Sequence, residues 1–428
     1  MKIFKNVKKS EWAELLARPT KSLVDVLVTV REILDEVRIR GDEAVKGYTK
    51  RFDQVTRASI RISEGELSLW GEKTPFELKE AILAASRNIE KFHSTQLTNE
   101  EVIETMPGVR CWRRSIPLNS VGIYVPGGTA PLYSTALMLG IPAKIAGVRR
   151  IALCTPLNKK GEVEAPIAFV ANLLGIREVY GIGGAQAIGA LAYGTESVGK
   201  VDKIVGPGNA YVTVAKELVS REGTPIDMAA GPSEVLIIAD SGADPSYVAA
   251  DLLSLVEHGA DSQGILVSDS ERLLTEVSKE LALQLEDLPR KEISQKALSE
   301  SRAFLVKDLD EAMELSNTYA PEHLILAVRD PAAIASKVQS AGSVFLGDLS
   351  PESVGDYASG TNHTLPTSGG ARYQGGVSVD TFVKKVTFQE LSRLGLTNIA
   401  STVTTMAYGE GLAAHARAVE VRIVGKGT

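Results

Sequence analysis

Apolar residues recur at helical spacing between Ser22 and Tyr48, at Val24, Leu27, Val30, Ile33, Leu34 and Val37, and predict an amphipathic helix. Gly41-Asp42-Glu43 marks a break within it. A second helix is predicted over about 75–93, with His93 at its end as a structural or exposed residue. The residues before these helices, 1–20, read as a polar arm. From Asn119 the pattern changes. Short apolar runs at 121–126, 151–155, 178–182 and 203–205 alternate with helical runs at 132–146, 165–174, from Ala185 and at 210–219. Strands and helices alternating at this spacing imply a parallel sheet with crossover helices.

A second series begins at Glu234. Strands are predicted at 234–239, 264–267, 303–306, 324–328 and 343–346, separated by helices at 245–258, 272–285, 309–318 and 331–339. The pattern then stops. Residues 350–376 form a stretch rich in Gly, Ser, Thr and Asn, too long for a plain connector. Helical runs resume near Thr381 and continue to Val419. The expected fold is α/β, with two Rossmann-like parallel-sheet domains, an N-terminal arm and a helical C-terminal tail. The expected boundaries are 1–20 for the arm, 21–120 with 237–380 for a discontinuous α/β domain, 121–236 for the other α/β domain, and 381–428 for the tail.

The chain's 428 residues exceed what one simple core accommodates. A net charge of -6 gives no basic footprint for nucleic acid. No apolar run is long enough to cross a bilayer, and the N-terminal MKIFKNVKKSEW lacks the apolar core of a secretory signal. The two cysteines, Cys111 and Cys154, form no metal-type pair, and a cytoplasmic, disulfide-free protein is the simplest reading. Four of the five histidines follow residue 250, and because no thiolate cluster exists a metal site must be built from imidazole and oxygen ligands.

Ala320-Pro-Glu-His323 sets a carboxylate beside an imidazole where a predicted helix gives way to a strand. A Glu and a His there can act as general base and acid, although such a pair is also common on ordinary surfaces. Gly181-Ile-Gly-Gly-Ala-Gln186 lies between a strand and a helix but carries Gln186 where a dinucleotide fingerprint has its third glycine. It reads equally as a tight turn or a cofactor loop. Gly206-Pro-Gly-Asn209 repeats the arrangement, and Asn209 can serve simply as a helix N-cap. Two such loops on parallel strands reach the carboxyl edge of one sheet, where open α/β folds bind ligands. His258 closes a helix, Asp356 and His363 share a polar loop, and His415 follows Glu410 on a late helix. Each of these also has a bland reading.

Taken in order, these segments resemble the L-histidinol dehydrogenase family. The resemblance rests on Val121-Gly-Ile-Tyr-Val-Pro-Gly-Gly-Thr-Ala-Pro-Leu, Gly183-Gly-Ala-Gln-Ala-Ile, Gly206-Pro-Gly-Asn-Ala and Ala230-Gly-Pro-Ser-Glu-Val-Leu. It continues through Glu257-His258-Gly, Ala320-Pro-Glu-His, Gly355-Asp-Tyr-Ala-Ser-Gly-Thr-Asn-His and His415. It implies zinc-dependent oxidation of L-histidinol to L-histidine through the aldehyde, with two NAD reduced, in the last steps of histidine biosynthesis. By motif, Tyr124, Gln186 and Asn209 would contact NAD, placing it on the 121–236 domain. Glu322 and His323 would be the acid-base pair. Ser233, His258, His323, Asp356, Glu410 and His415 would contact substrate, with His258, Asp356 and His415 also holding zinc. The resemblance further implies a homodimer in which Glu410 and His415 complete the neighbouring subunit's site. One departure stands out. The family pattern has a Gln zinc ligand three residues before the motif His, a place taken here by Leu255, which cannot donate to a metal. Helical spacing would turn it toward the site beside His258. The departure leaves room for a related NAD-dependent dehydrogenase of another small polar alcohol, or for an impaired homologue that binds without turnover.

Overall fold

Runs of branched apolar residues become strands and the 3.6-residue stripes become helices in a computed structural model that describes residues 1–19, 24–97, 100–127, 131–229 and 231–424. The strands in chain order are β1 (Lys2–Lys5), β2 (Arg61–Ile62), β3 (Ile103–Met106), β4 (Val109–Pro117), β5 (Ser120–Tyr124), β6 (Arg150–Thr155) and β7 (Glu178–Gly181). They continue with β8 (Lys203–Val205), β9 (Glu234–Ala239), β10 (Gln263–Ser268), β11 (Arg302–Leu305), β12 (His323–Ala327), β13 (Ser343–Leu346) and β14 (Val383–Leu391).

Six strands form an all-parallel sheet in the order β1-β11-β10-β9-β12-β13. Every residue of β9, β10 and β12 is buried, as expected where crossover helices cover both faces. Along β9, Val235 and Ile237 face a cluster built from the Pro245–Val256 and Glu271–Leu285 helices. Leu236 and Ile238 point the other way, toward Met313 and Leu315 of the Leu309–Tyr319 helix. A second sheet runs β2-β7-β6-β5-β8, parallel except for β2 at its edge. Two parallel-sheet units are thus present, as the alternating pattern implied.

Three expectations are corrected. The N-terminal helices do not join the 237–380 sheet. Val30, Leu34 and Val37 of the Val24–Arg40 helix pack with Ile188 and Leu191 against the second sheet, and Ile82 and Ile89 of the Phe76–Ser94 helix join its other face. Helical periodicity showed a buried stripe but carried no label for the surface that buries it. The arm, in turn, is not merely polar: β1 extends the six-stranded sheet beside β11, and Trp12 and Leu16 are buried. The tail is not purely helical. Its first segment is β14, paired antiparallel along nine residues with β4, which also pairs with β3. The helices Arg393–Gly409 and Ala413–Ile423 follow. β14 is largely solvent-facing, so its alternation of apolar and polar residues is weak. The predicted break at Gly41 is real. Its φ of 51° lies in the left-handed region, where a side chain is strained, and it separates the Val24–Arg40 helix from Asp42–Asp53. Among the described residues, no helix is long and apolar enough to cross a membrane.

Candidate active site

The Leu309–Tyr319 helix ends at Ala320, whose φ of 55° is left-handed, and Pro321 cannot extend it. The chain therefore turns sharply into β12, with His323 as its first residue, in register with Val235 of β9. Glu322 and His323 are both buried. The backbone at Glu234 holds them: its N–H donates to Glu322 Oε2 at 2.9 Å, and its carbonyl lies 3.1 Å from His323 Nδ1. Glu234 is itself fixed, because Arg18 donates to its carboxylate at 2.5 and 2.8 Å and the Ser368 N–H at 2.7 Å.

Three carboxylates surround His323. Glu322 Oε2 lies 3.6 Å and Glu352 Oε1 3.9 Å from Nδ1, and Asp356 Oδ1 lies 3.5 Å from Nε2. Burial disfavours the imidazolium, but Glu352, Glu322 and Asp356 together outweigh it and push His323 up to about 10. Burial raises the Glu322 carboxyl to about 7, against the opposing pull of His323. Burial also drives Glu352 upward. Asp356 stays below the usual carboxylate range despite burial, because His323, His363 and His258 favour its anion. His258 is pushed down by desolvation from the protein atoms around it, only partly offset by Asp356, although its side chain stays open to solvent, and a neutral imidazole is suited to bind a metal.

The expected loop at 350–376 contains the short helix Glu352–Tyr357. Glu352 and Asp356, four residues apart, share one of its faces. His258 lies just past the end of the Pro245–Val256 helix rather than within it. One ligand atom from each of His258, Glu352 and Asp356 can be chosen so that all lie within 4.8 Å of one another. One imidazole and two carboxylates, one with a buried and unpartnered oxygen, make a donor set that fits zinc. Leu255 is fully buried in the apolar cluster with Val235 and Phe345 and does not line the cleft, contrary to the helix-face expectation. The two are joined through the helix's last turn, where the His258 N–H donates to Leu255 O at 3.1 Å, but the Leu255 side chain stays on the apolar side.

These groups line a cleft of about 140 Å³ between the two sheets. Ser233, which leads into β9, and Glu322 and His323 at the head of β12 form one wall, and Gly206, Pro207 and Asp227 form the other. The site thus combines the amino ends of two strands in one sheet with the carboxyl end of β8 in the other. The Gly206 turn is braced by charge. Lys216, fully buried, donates to Gly206 O at 2.7 Å and to Asp227. Asp227 accepts in turn from the N–H groups of Gly206 and Met228, each at 2.7 Å.

Tyr124, Gln186 and Asn209 do not line this cleft. The Tyr124 hydroxyl accepts from the Gly184 N–H at 3.0 Å, so the end of β5 is tied to the loop after β7. Gly206 has φ 125°, and a Cβ there would sit 2.2 Å from Tyr124 O, so only glycine fits. Gln186, near the start of the Gly184–Tyr193 helix, is buried with its Oε1 unpartnered. Asn209 realises the N-cap reading, its Oδ1 accepting from Tyr211 and Val212 N–H at 3.1 and 3.2 Å. Glu410 and His415 are exposed on the tail and do not line the cleft of their own chain.

Glu352, Glu234, Lys216 and Asp227 belong to the site or its bracing without a motif that marks them in the sequence. The four-residue spacing of Glu352 and Asp356 was a usable signal for the first. For the buried Lys216–Asp227 pair, only its place on the apolar stripe of the Ala210–Arg221 helix was available. His93 takes the structural one of its two readings: it is buried, with Gln96 Oε1 3.0 Å from its Nδ1.

A family model described as histidinol dehydrogenase matches residues 16–423. The chain is 52% identical over 423 residues to a histidinol dehydrogenase of Bacteroides thetaiotaomicron, covering 99% of each chain. It is 49% identical over 413 residues to one of Escherichia coli (strain K12), covering 96% of this chain and 94% of the relative. The crystal structure of histidinol dehydrogenase from Elizabethkingia anophelis matches with a TM-score of 0.97 at 48% identity, over 99% of this chain and 98% of the other.

Proposed function

The chain belongs to the histidinol dehydrogenase family, NAD-dependent oxidoreductases, and from that premise we propose that it oxidises L-histidinol to L-histidine through the aldehyde, reducing two NAD. The observation that carries this reading is the buried Glu322–His323 pair at the head of β12, facing a cleft ringed by further carboxylates and His258. In the first half-reaction His323 takes the alcohol proton as hydride leaves for the nicotinamide, giving the aldehyde. In the second, Glu322 takes a proton from water as it adds to the aldehyde carbon while His323 returns its proton to the aldehyde oxygen, and the hydrate then gives a hydroxyl proton back to His323 as its hydride leaves for a second NAD, yielding the acid. Glu322, held near 7 and anchored by the Glu234 N–H, is suited to exchange a proton near neutral pH. Bound zinc, held by His258 and Asp356, would orient the substrate's nitrogens and offset the carboxylates that favour the His323 cation. Tyr124, Gln186 and Asn209 are assigned to NAD, and Ser233 to substrate. Exposed Glu410 and His415 fit a homodimer in which each tail completes the partner's substrate and zinc site. A cytoplasmic setting accompanies this reading.

The test is to incubate the purified protein with L-histidinol and excess NAD, with zinc or with chelator, and count NADH. Two NADH per histidinol, lost with chelator and restored by zinc, are expected; absence of NADH under every metal condition rejects the reading. His323→Asn should lower kcat by at least about 100-fold while leaving histidinol binding largely intact. An unchanged kcat would remove His323 from the proton transfer.

A further inference from the structure

Glu352 is two per cent exposed, and its Oε2 has no hydrogen-bond partner. A buried carboxylate oxygen without a donor carries a desolvation cost that some ligand must offset. The nearest cation is no answer by itself, because Glu352 Oε1 lies 3.9 Å from His323 Nδ1, beyond hydrogen-bond range. The same side chain does have two neighbours of metal-ligating type. It shares a helix face with Asp356, and that face meets His258, with ligand atoms of all three inside 4.8 Å. Donors on one zinc sit about 2.0–2.2 Å from it, hence at most roughly 4.4 Å apart, so small side-chain shifts close the set. Leu255, the residue a helical turn before His258, lies in the apolar cluster and supplies no donor.

We propose that Glu352 is a zinc ligand in this protein, joining His258 and Asp356 of its own chain at the site that the partner's tail completes. The assignment rests on the zinc-dependent reading above and deepens it. A counter-charge for His323 is the competing role, and it predicts that metal binding is indifferent to Glu352.

The experiment measures zinc on the full-length protein, by metal analysis after gel filtration and by competition with a chromogenic chelator. Wild type, His258→Asn, Glu352→Gln and Glu352→Leu are compared, and circular dichroism in chelator checks that each is folded. Wild type should hold one zinc per chain and His258→Asn should lose it. Glu352→Leu should bind at least roughly 100-fold more weakly, since even residues that only support a ligand are worth about 10–100-fold. Glu352→Gln keeps shape and one oxygen and should fall by about tenfold, and it decides the matter if the Leu variant does not fold. Zinc affinity within twofold of wild type in the Glu352 variants, with His258→Asn empty, overturns the assignment while leaving the zinc reading intact. A wild-type protein that takes up no zinc overturns both.

Discussion

Lys216→Met removes the cation from a pair whose side chains are 2% and 1% exposed. Breaking a buried ion pair by deleting one partner costs about 3–5 kcal/mol, because the remaining charge is left uncompensated. Here the remaining charge keeps two backbone donors, Gly206 N–H and Met228 N–H, each at 2.7 Å. Those bonds to a charged acceptor place the expected loss near the lower end, about 3 kcal/mol. Met preserves the packing of the aliphatic stem, so little of the loss comes from a cavity. Urea unfolding of Lys216→Met, Asp227→Asn and the double variant forms the assay. The double variant should be less destabilised than the sum of the singles by about 1–3 kcal/mol, since it leaves no lone charge. Because the same lysine holds Gly206 O at 2.7 Å, Lys216→Met should also raise the KM for NAD if this loop contacts the cofactor as proposed. A loss below about 1 kcal/mol, or strict additivity, would refute the argument that this pair braces the loop.

Other outcomes follow from equally local features. Arg57 donates to Glu66 at 2.5 Å and, against some burial and with help from Ser63, holds its carboxyl at about 2 rather than 4.5. Because the folded value is depressed, this stabilisation is complete above pH 4.5 and fades as pH falls toward 2. Partial exposure of the pair limits it to under about 1 kcal/mol, so between pH 6 and pH 3 wild type should lose that much more stability than Glu66→Gln in urea titrations. Equal losses would contradict the assignment. Gly395→Ala would place a Cβ 2.0 Å from Gly108 O, where the Arg393–Gly409 helix rests on the β3–β4 turn. A cost of about 1–3 kcal/mol and faster proteolytic release of the tail are expected, and unchanged cleavage would show that the helix shifts freely.

The sequence by itself determined the elements and the parts list. Period-2 and period-3.6 patterns located both series of parallel strands, and the motifs singled out Glu322, His323, His258 and Asp356, all of which line one cleft. What it could not determine was assignment of surfaces. The stripe at Val30, Leu34 and Val37 demands an apolar partner, but either sheet satisfies it, and only tertiary packing chose the second. β1 and β14 were missed because an edge strand and a solvent-facing ribbon need little apolar patterning. Glu352 belongs to the site because two helices meet there, and Lys216 is buried because Asp227, on a different segment, supplies its counter-charge. Both depend on contacts between residues far apart in the chain, which local patterning does not encode, whereas the helix-to-strand turn at Ala320-Pro321 that presents Glu322 and His323 is set by its own neighbours.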